Sequence, residues 1–159
     1  TFSFYDLSCK TNDNEDFKFK YLEGKKVLIV NVASKCGYTS QYKDLEKLYE
    51  EYKADNFIIL GFPSNDFLKQ ERGGEQEIKA FCQLTYGVSF PMMSKIKVKG
   101  KNIHPVYKWL TRKGLNGVMN SRVKWNFQKY MINKKGKLAG IAAPRDEPYC
   151  GKILEFIRS

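Results

Sequence analysis

The fold of this chain is decided by the stretch Val27-Leu28-Ile29-Val30-Asn31-Val32. Its side chains are mostly apolar and β-branched, and apolar residues occupy both alternating faces, as in a central strand that is covered on both sides. A second stretch of the same kind, Phe57-Ile58-Ile59-Leu60-Gly61-Phe62, ends at Pro63. Both stretches are therefore predicted to be buried strands of one sheet.

The segment between these strands has the pattern of a turn followed by a helix. Residues 34–40 are mostly polar, and apolar side chains then recur at helical spacing from Tyr42 to Tyr52. The hydroxyl of Thr39 or of Ser40 can cap the start of this helix. Because a strand, a helix and a second strand follow one another, the two strands are predicted to run parallel.

The rest of the chain adds helices and antiparallel strands. The predicted elements are a helix over 75–86 that ends at Gly87, a strand over 93–98, a helix over 105–112, a hairpin of 130–132 with 138–141, and a final helix over 147–157. A mixed central sheet with helices on both faces results, which is the α/β arrangement of thioredoxin-like folds.

The bulk composition fits one such domain over residues 1–159. With 42% hydrophobic residues, a chain of this length can bury a core without disulfides. No apolar run is long enough to cross a membrane, and nothing near the start reads as a secretory signal. We therefore expect a cytoplasmic protein. Because the chain begins at Thr1 rather than Met, the removal of an N-terminal leader is left open as an alternative.

The chain is basic, with 28 Lys and Arg against 17 Asp and Glu and a net charge of +11. The lysines are scattered singly and in pairs rather than gathered in a block or along one helix. This pattern is typical of a solvated surface that favours an acidic protein partner or an anionic substrate. Nucleic-acid binding is not expected.

The cysteines point to thiol chemistry rather than to a metal site. There are four of them, far apart, without the spacing of a zinc site or of a Cys-X-X-Cys pair, and there is a single histidine. We therefore predict no metal and no cofactor, and a reducing compartment in which one or two thiols work.

Cys36 is the best placed of these thiols. It lies in the loop after the first buried strand and just before a helix, near the carboxyl end of the sheet, where open α/β folds bind ligands. Amides and the positive end of the helix stabilise an anion there, and Lys35 adds a cation. Position alone leaves two interpretations open: a reactive thiolate or an inert, buried cysteine.

Four stretches in the same order as in a known family favour the reactive thiolate. The sequence 31–39, Asn-Val-Ala-Ser-Lys-Cys-Gly-Tyr-Thr, resembles the signature around the peroxidatic residue of glutathione peroxidases. Residues 61–67, 86–91 and 123–127 resemble three further stretches of that family, and the similarity runs from about Phe4 to the last helix. The resemblance implies a thioredoxin fold and the reduction of hydrogen peroxide and of organic or lipid hydroperoxides.

The resemblance also implies roles for individual residues. Cys36 takes the peroxidatic place, and Trp125 and Asn126 take places whose side chains hydrogen-bond the reactive atom. The thiolate would attack the peroxide O–O bond, release water or an alcohol and become a sulfenic acid. An indole N–H and an amide can donate to a thiolate without adding negative charge.

Asp66 departs from the family, which usually has Gln at this place. A carboxylate close to the sulfur would oppose the thiolate by like-charge repulsion. It could instead be protonated and donate, or be turned away from the sulfur, with Gln70 as a substitute amide. Asp66 is kept as a candidate site residue, and Asp66→Gln is expected to raise the peroxidase rate at neutral pH. An unchanged rate would count against any contact between Asp66 and the sulfur.

Cys82 has two interpretations, a small core residue of an amphipathic helix or the resolving cysteine. The pair Phe81-Cys82 matches the stretch that carries the resolving cysteine in cysteine-type members of the family. This role would require unwinding near Gly87 or near 73–74. The resemblance implies that a dithiol donor reduces the resulting disulfide, thioredoxin more than glutathione, with glutathione kept as the alternative. Cys9 and Cys150 match no family site.

Two other interpretations share parts of this pattern. A non-enzymatic redox sensor or relay could use the same Cys36–Cys82 pair. A thioredoxin-like oxidoreductase is disfavoured, because Thr39 stands where a Cys-X-X-Cys pair would have its second cysteine. The segment between Trp109 and Trp125 lacks the insertion that carries subunit contacts in tetrameric members. We therefore expect a monomer with an open site, able to take bulky lipid hydroperoxides and to touch a membrane surface transiently.

Overall fold

The computed structural model describes residues 2–34, 36–67 and 74–159, apart from the side chain of Leu84. Within these ranges there are six strands and five α-helices, which include the strand-helix-strand unit expected of an α/β chain. Their bounds are β1 Ser8–Lys10, β2 Asp16–Lys18, β3 Lys26–Val32, α1 Gln41–Tyr52, β4 Phe57–Pro63, α2 Glu75–Tyr86, α3 Pro105–Thr111, α4 Lys113–Asn116, β5 Lys129–Ile132, β6 Leu138–Ala142 and α5 Gly151–Arg158. Within the described part of the chain, no helix is long and apolar enough to span a bilayer.

The main sheet has the strand order β4-β3-β5-β6. Strand β3 runs parallel to β4, with Val27 opposite Ile58, and antiparallel to β5, with Ile29 opposite Tyr130. Strand β6 continues the sheet antiparallel to β5, and β1 and β2 form a separate small hairpin. The predicted mixed sheet, with its parallel crossover and late hairpin, is confirmed.

Strand β3 is buried on both faces, as its sequence predicts, because a separate apolar core covers each face. Val27 and Ile29 belong to a first core, together with Val106 and Leu110 of α3. On the other face, Leu28, Val30 and Val32 of β3 belong to a second core. This core also contains residues of α1, α2 and α5, namely Leu45, Leu48, Ile78, Cys82, Ile153 and Ile157. The carboxyl end of β3 therefore emerges from a rigid, two-sided packing.

The strand predicted over 93–98 is wrong. Met92 and Met93 form only isolated bridges, to Gly61 and Thr11 respectively. The amides that follow are engaged elsewhere, because Ile96 N–H donates to the carbonyl of Pro63 (2.9 Å) and the Val98 N–H to the carboxylate of Asp66 (2.7 Å). The segment therefore touches β4 only at isolated points, at Gly61 and at its last residue Pro63, and the amide of Val98 bonds a side chain, so no continuous ladder of hydrogen bonds forms.

One helix starts later than predicted, and one predicted cap lacks its hydrogen bond. Helix α5 begins at Gly151, not at Glu147, because Pro148 follows and the Cys150 N–H closes a tight turn on the carbonyl of Glu147 (2.9 Å). Ser40 occupies the N-cap of α1 without a capping hydrogen bond from its side chain. Helix α3 starts as expected, at Pro105, and Nδ1 of His104 caps it by accepting the Val106 N–H (3.1 Å). Burial lowers the pKa of His104.

Candidate active site

Cys36 lies where the sequence predicts it, in the turn that joins β3 to α1. Its side chain is half-buried and packs against the second core. The backbone N–H of Tyr38 points at the sulfur, with 3.4 Å between nitrogen and Sγ. The half-buried side chain of Cys36 therefore has an amide donor directed at its sulfur.

The hydroxyl of Thr39 organises this turn. Its Oγ1 accepts the N–H of Cys36 (2.8 Å) and donates to the carbonyl of Ala33 (2.9 Å). The N–H of Thr39 in turn donates to the carbonyl of Cys36 (3.0 Å). The Thr39 hydroxyl, predicted as a possible helix cap, thus serves the Cys36 turn rather than the amides of α1.

Trp125 and Asn126 are held at the same end of the sheet by Asn31. The Asn31 side chain donates from Nδ2 to the carbonyl of Trp125 (3.1 Å) and accepts the Gln128 N–H at Oδ1 (3.1 Å). The carbonyl of Asn31 accepts the Phe127 N–H (2.6 Å), and Phe127 adopts a positive φ of 67°. Strand β3 therefore places both the Cys36 turn and the Trp125–Asn126 turn at its carboxyl end.

Asn31 was not singled out as a site residue from the sequence. It is fully buried, and it makes three hydrogen bonds to the turn that carries Trp125 and Asn126. The signal was a polar side chain that interrupts an otherwise apolar central strand, because a buried amide has to find partners.

A pocket of about 450 Å³ lies beside the Cys36 turn. Tyr38 and Trp125 line it from the two turns, and Lys124, Ala143, Pro144 and Arg145 complete its wall. The indole of Trp125 is half-buried and packs against the ring of Phe67, with 5.3 Å between ring centroids. The pocket thus combines an aromatic surface with two cationic side chains next to the turn that carries Cys36.

Lys129 supports the part of the pocket wall that residues 143–145 form. It is fully buried, and its Nζ donates to the carbonyls of Ala143 (3.3 Å), Pro144 (3.0 Å) and Asp146. Burial lowers the pKa of Lys129 from 10.5 to about 8, and the negative groups near it oppose this shift only in part. Gln41 supports the same wall by donating to the carbonyl of Pro144 (2.9 Å).

This shift predicts a pH dependence of stability that belongs to Lys129. Between its folded and unfolded pKa values the unfolded chain binds more protons, so the free energy of unfolding rises with pH. From about pH 7.5 to about pH 10, the wild type is expected to gain about 2 kcal/mol relative to Lys129→Met. Denaturant unfolding of both proteins measures this. The exposed Lys135→Met is the control, and parallel curves for all three proteins would contradict the prediction.

Asp66 directs its carboxylate to the 97–99 segment. Its Oδ1 forms an ion pair with Nζ of Lys97 (2.9 Å), and its Oδ2 accepts the backbone N–H groups of Val98 (2.7 Å) and Lys99 (3.3 Å). The side chain is only 6% exposed. These contacts favour the alternative in which the carboxylate is turned away from the sulfur. That Asp66→Gln raises the rate stays a prediction. Gln70 and Lys35 lie outside the described residues.

Cys82 lies on α2 and is 1% exposed. It belongs to the second core, against which Cys36 also packs. Helix α2 is fastened to α1 by aromatic contacts, since the ring of Tyr42 lies 6.4 Å from that of Phe81 and 5.4 Å from that of Tyr86. Cys82 therefore cannot reach solvent, or a donor protein, without movement of α2.

The four cysteines all lie within the described residues, and none is joined to another by a disulfide. Cys9 is buried in the first core, and burial raises its pKa to about 12. Cys150 is half-buried at the start of α5. Cys9 is thus protonated at neutral pH and unsuited to nucleophilic chemistry.

Comparisons with known proteins agree with this geometry. The family model described as glutathione peroxidase matches residues 4–111. Glutathione peroxidase-like peroxiredoxin 2 of Saccharomyces cerevisiae is 54% identical over 140 residues, which are 87% of this chain and 85% of the relative. The apo crystal structure of Trgpx superposes with a TM-score of 0.76 at 39% identity, covering 99% of this chain and 96% of that one.

A more distant structure supports the fold alone. A thiol:disulfide interchange protein of the thioredoxin family from Chlorobium tepidum superposes with a TM-score of 0.69 at 18% identity, covering 99% of this chain and 97% of that one. The fold is therefore thioredoxin-like, as predicted. The family model matches more than half of this chain, and the yeast glutathione peroxidase-like peroxiredoxin 2 is 54% identical over 87% of it. The chain therefore belongs to the glutathione peroxidase family and is a peroxidase.

Proposed function

We propose that this protein reduces hydrogen peroxide and organic or lipid hydroperoxides with Cys36 as nucleophile and thioredoxin as reductant. The observation that carries the proposal is the half-buried sulfur of Cys36, with the Tyr38 N–H aimed at it (3.4 Å) and a pocket beside it that Tyr38 and Trp125 line. The yeast relative is named a peroxiredoxin, which supports a cysteine-based cycle.

In the first step, the Cys36 thiolate attacks one oxygen of the hydroperoxide. The O–O bond breaks, the sulfur is oxidised to a sulfenic acid, and the leaving oxygen takes a proton and departs as water or an alcohol. Trp125 and Asn126 are proposed to donate hydrogen bonds at the sulfur from the turn that Asn31 holds. Neutral donors stabilise the thiolate without a competing negative charge.

In the second step, the thiolate of Cys82 attacks the sulfenic sulfur of Cys36 and forms a Cys36–Cys82 disulfide, while the S–O bond breaks and the departing hydroxide takes up a proton to leave as water. Because Cys82 is 1% exposed within the second core, α2 has to loosen from Tyr42 before the two sulfurs meet. A dithiol donor then reduces the disulfide by exchange. Asp66 is proposed to act indirectly, by fixing the 97–99 segment near Asn65.

The surface around the pocket suits acidic or anionic partners. Lys124 and Arg145 line it, and the chain carries a net charge of +11. Steering of an acidic donor protein, and transient contact with anionic lipid headgroups, follow from this charge. We further propose that the protein acts as a monomer in the cytoplasm, where a reducing environment keeps Cys36 and Cys82 as thiols.

The test is steady-state hydroperoxide consumption with either thioredoxin or glutathione as the donor. Thioredoxin, supplied with its reductase, is expected to support turnover at least about tenfold faster, because a dithiol resolves an intramolecular disulfide without a mixed-disulfide dead end. Equal rates with both donors would contradict the two-cysteine cycle. Rapid oxidation of Cys36 without turnover by either donor would favour the redox relay instead.

A further inference from the structure

The side chain of Thr39 closes a ring of hydrogen bonds around the Cys36 turn. Its hydroxyl accepts the Cys36 N–H (2.8 Å) and donates to the carbonyl of Ala33 (2.9 Å), while its own N–H donates to the carbonyl of Cys36 (3.0 Å). The ring joins the residue that follows β3 to the residue before the N-cap of α1. It therefore spans the whole turn on which the sulfur sits.

The direction of the hydroxyl is determined by its partners. The carbonyl of Ala33 can only accept, so the Thr39 proton points at it, and a lone pair of the same oxygen is left for the Cys36 N–H. Thr39 is only 6% exposed, so water competes poorly for either bond. The hydroxyl thus has one arrangement, and the Cys36 backbone is held in one orientation.

This arrangement gives the backbone amides of Cys36 and Tyr38 different partners. The Cys36 N–H is taken by Thr39, and the Tyr38 N–H is the one that points at Sγ. If the hydroxyl were absent, the Cys36 N–H would lose its partner in a nearly buried place and the turn would rotate to find another. The Tyr38 N–H, two residues away on the same short turn, would then lose its aim at the sulfur.

We infer that Thr39 is a positioning residue for the peroxidatic reaction, acting through the backbone of Cys36 and the Tyr38 N–H rather than by touching the hydroperoxide. This inference rests on the proposed function, in which Cys36 is the nucleophile. Positioning of Cys36 then requires a hydroxyl at position 39 that both donates and accepts a hydrogen bond, and a side chain of the same size without a hydroxyl is not sufficient.

The test compares Thr39→Val, which keeps the shape but removes the hydroxyl, with Thr39→Ser, which keeps the hydroxyl. The readouts are the second-order rate constant for oxidation of Cys36 by hydrogen peroxide in a single turnover and its alkylation by iodoacetamide at neutral pH, both followed by mass spectrometry. Thr39→Val is expected to lower both rates about tenfold, the rate equivalent of one hydrogen bond, and Thr39→Ser to restore them to within about threefold of wild type.

Alkylation of Cys150 in the same samples is the internal control. Cys150 is a half-buried thiol at the start of α5, outside the Cys36 turn, so its alkylation is expected to be unchanged in both variants. General loosening of the fold would raise the reactivity of both cysteines, whereas loss of positioning lowers that of Cys36 alone. If Thr39→Val does not fold, Thr39→Ala, which also lacks the hydroxyl and adds no bulk, replaces it with the same expected results.

Two results would overturn the inference. One is oxidation of Cys36 in the hydroxyl-free variant at the wild-type rate, and the other is an equal loss in Thr39→Ser, which would assign the effect to the methyl group. The wild type and Cys36→Ser are measured in parallel. If hydrogen peroxide does not oxidise Cys36 of the wild type, the proposed function itself fails, and this outcome is distinct from a failure confined to Thr39.

Discussion

Cys36→Ser is expected to lower the rate constant for hydroperoxide reduction by about a thousandfold or more. A serine hydroxyl stays protonated at neutral pH and is a poor nucleophile, whereas the proposed step requires an anionic sulfur beside the Tyr38 N–H. The measurement is hydroperoxide consumption with thioredoxin as donor, together with the thermal unfolding of each variant. The hydroxyl is smaller than the thiol and the site is half-buried, so the fold is expected to persist.

Cys9→Ser and Cys150→Ser are the matched controls for this variant. Cys9 is buried, with its pKa raised to about 12, and Cys150 is half-buried at the start of α5. Both variants are expected to keep the wild-type rate per folded molecule. If Cys36→Ser retained turnover while one of the controls lost it, the nucleophile would have been assigned to the wrong sulfur.

Cys82→Ser is expected to separate the two steps of the cycle. The first oxidation of Cys36 should proceed within about twofold of the wild-type rate, because Cys82 is buried in α2 and takes no part in it. Turnover with thioredoxin should fall about a hundredfold, because the sulfenic acid has no intramolecular thiol to meet and no disulfide forms for the donor to reduce. Stopped-flow oxidation and steady-state assays measure the two steps separately.

The fate of Cys36 in Cys82→Ser gives a second readout. With excess hydroperoxide, the trapped sulfenic acid is expected to go on to sulfinic acid, visible in the mass of the peptide that contains Cys36. Addition of glutathione is expected to protect it by capping the sulfur. Wild-type turnover by Cys82→Ser with thioredoxin would contradict the resolving role and leave Cys82 as a core residue of the second core.

The sequence predicts an element well where its apolar residues recur with the period of a helix or run continuously, as in a buried strand. Strands β3 and β4 and helices α1 and α2 were predicted to within about a residue, because their apolar patterns are bounded by Gly, Pro or polar turns. The segment 93–98 has three apolar residues in six, and its amides bond Pro63 and Asp66. Partners so distant along the chain leave no trace in local periodicity. The hairpin of β1 with β2 was missed, since strands of three residues have almost no period to detect.

The sequence predicts the position of some site residues, but not the contacts that hold them. The place of Cys36 follows from the order of strand, turn and helix, whereas the roles proposed for Trp125, Asn126 and Cys82 came from the family resemblance. The hydrogen bonds that hold the site could not be foreseen. Buried donors such as Asn31 and Lys129 have to find acceptors, but the sequence does not identify these acceptors. They are the carbonyl of Trp125 for Asn31 and the carbonyls of Ala143, Pro144 and Asp146 for Lys129.

One measurement bears most directly on the whole mechanism, the map of oxidised cysteines after a single turnover. Reduced wild-type protein is mixed with one equivalent of hydrogen peroxide, quenched with an alkylating reagent, digested and analysed by mass spectrometry. The proposed cycle predicts a disulfide between Cys36 and Cys82, with Cys9 and Cys150 recovered as alkylated thiols. Recovery of Cys36 as an unoxidised thiol, with peroxide consumed at another cysteine or not at all, would contradict it.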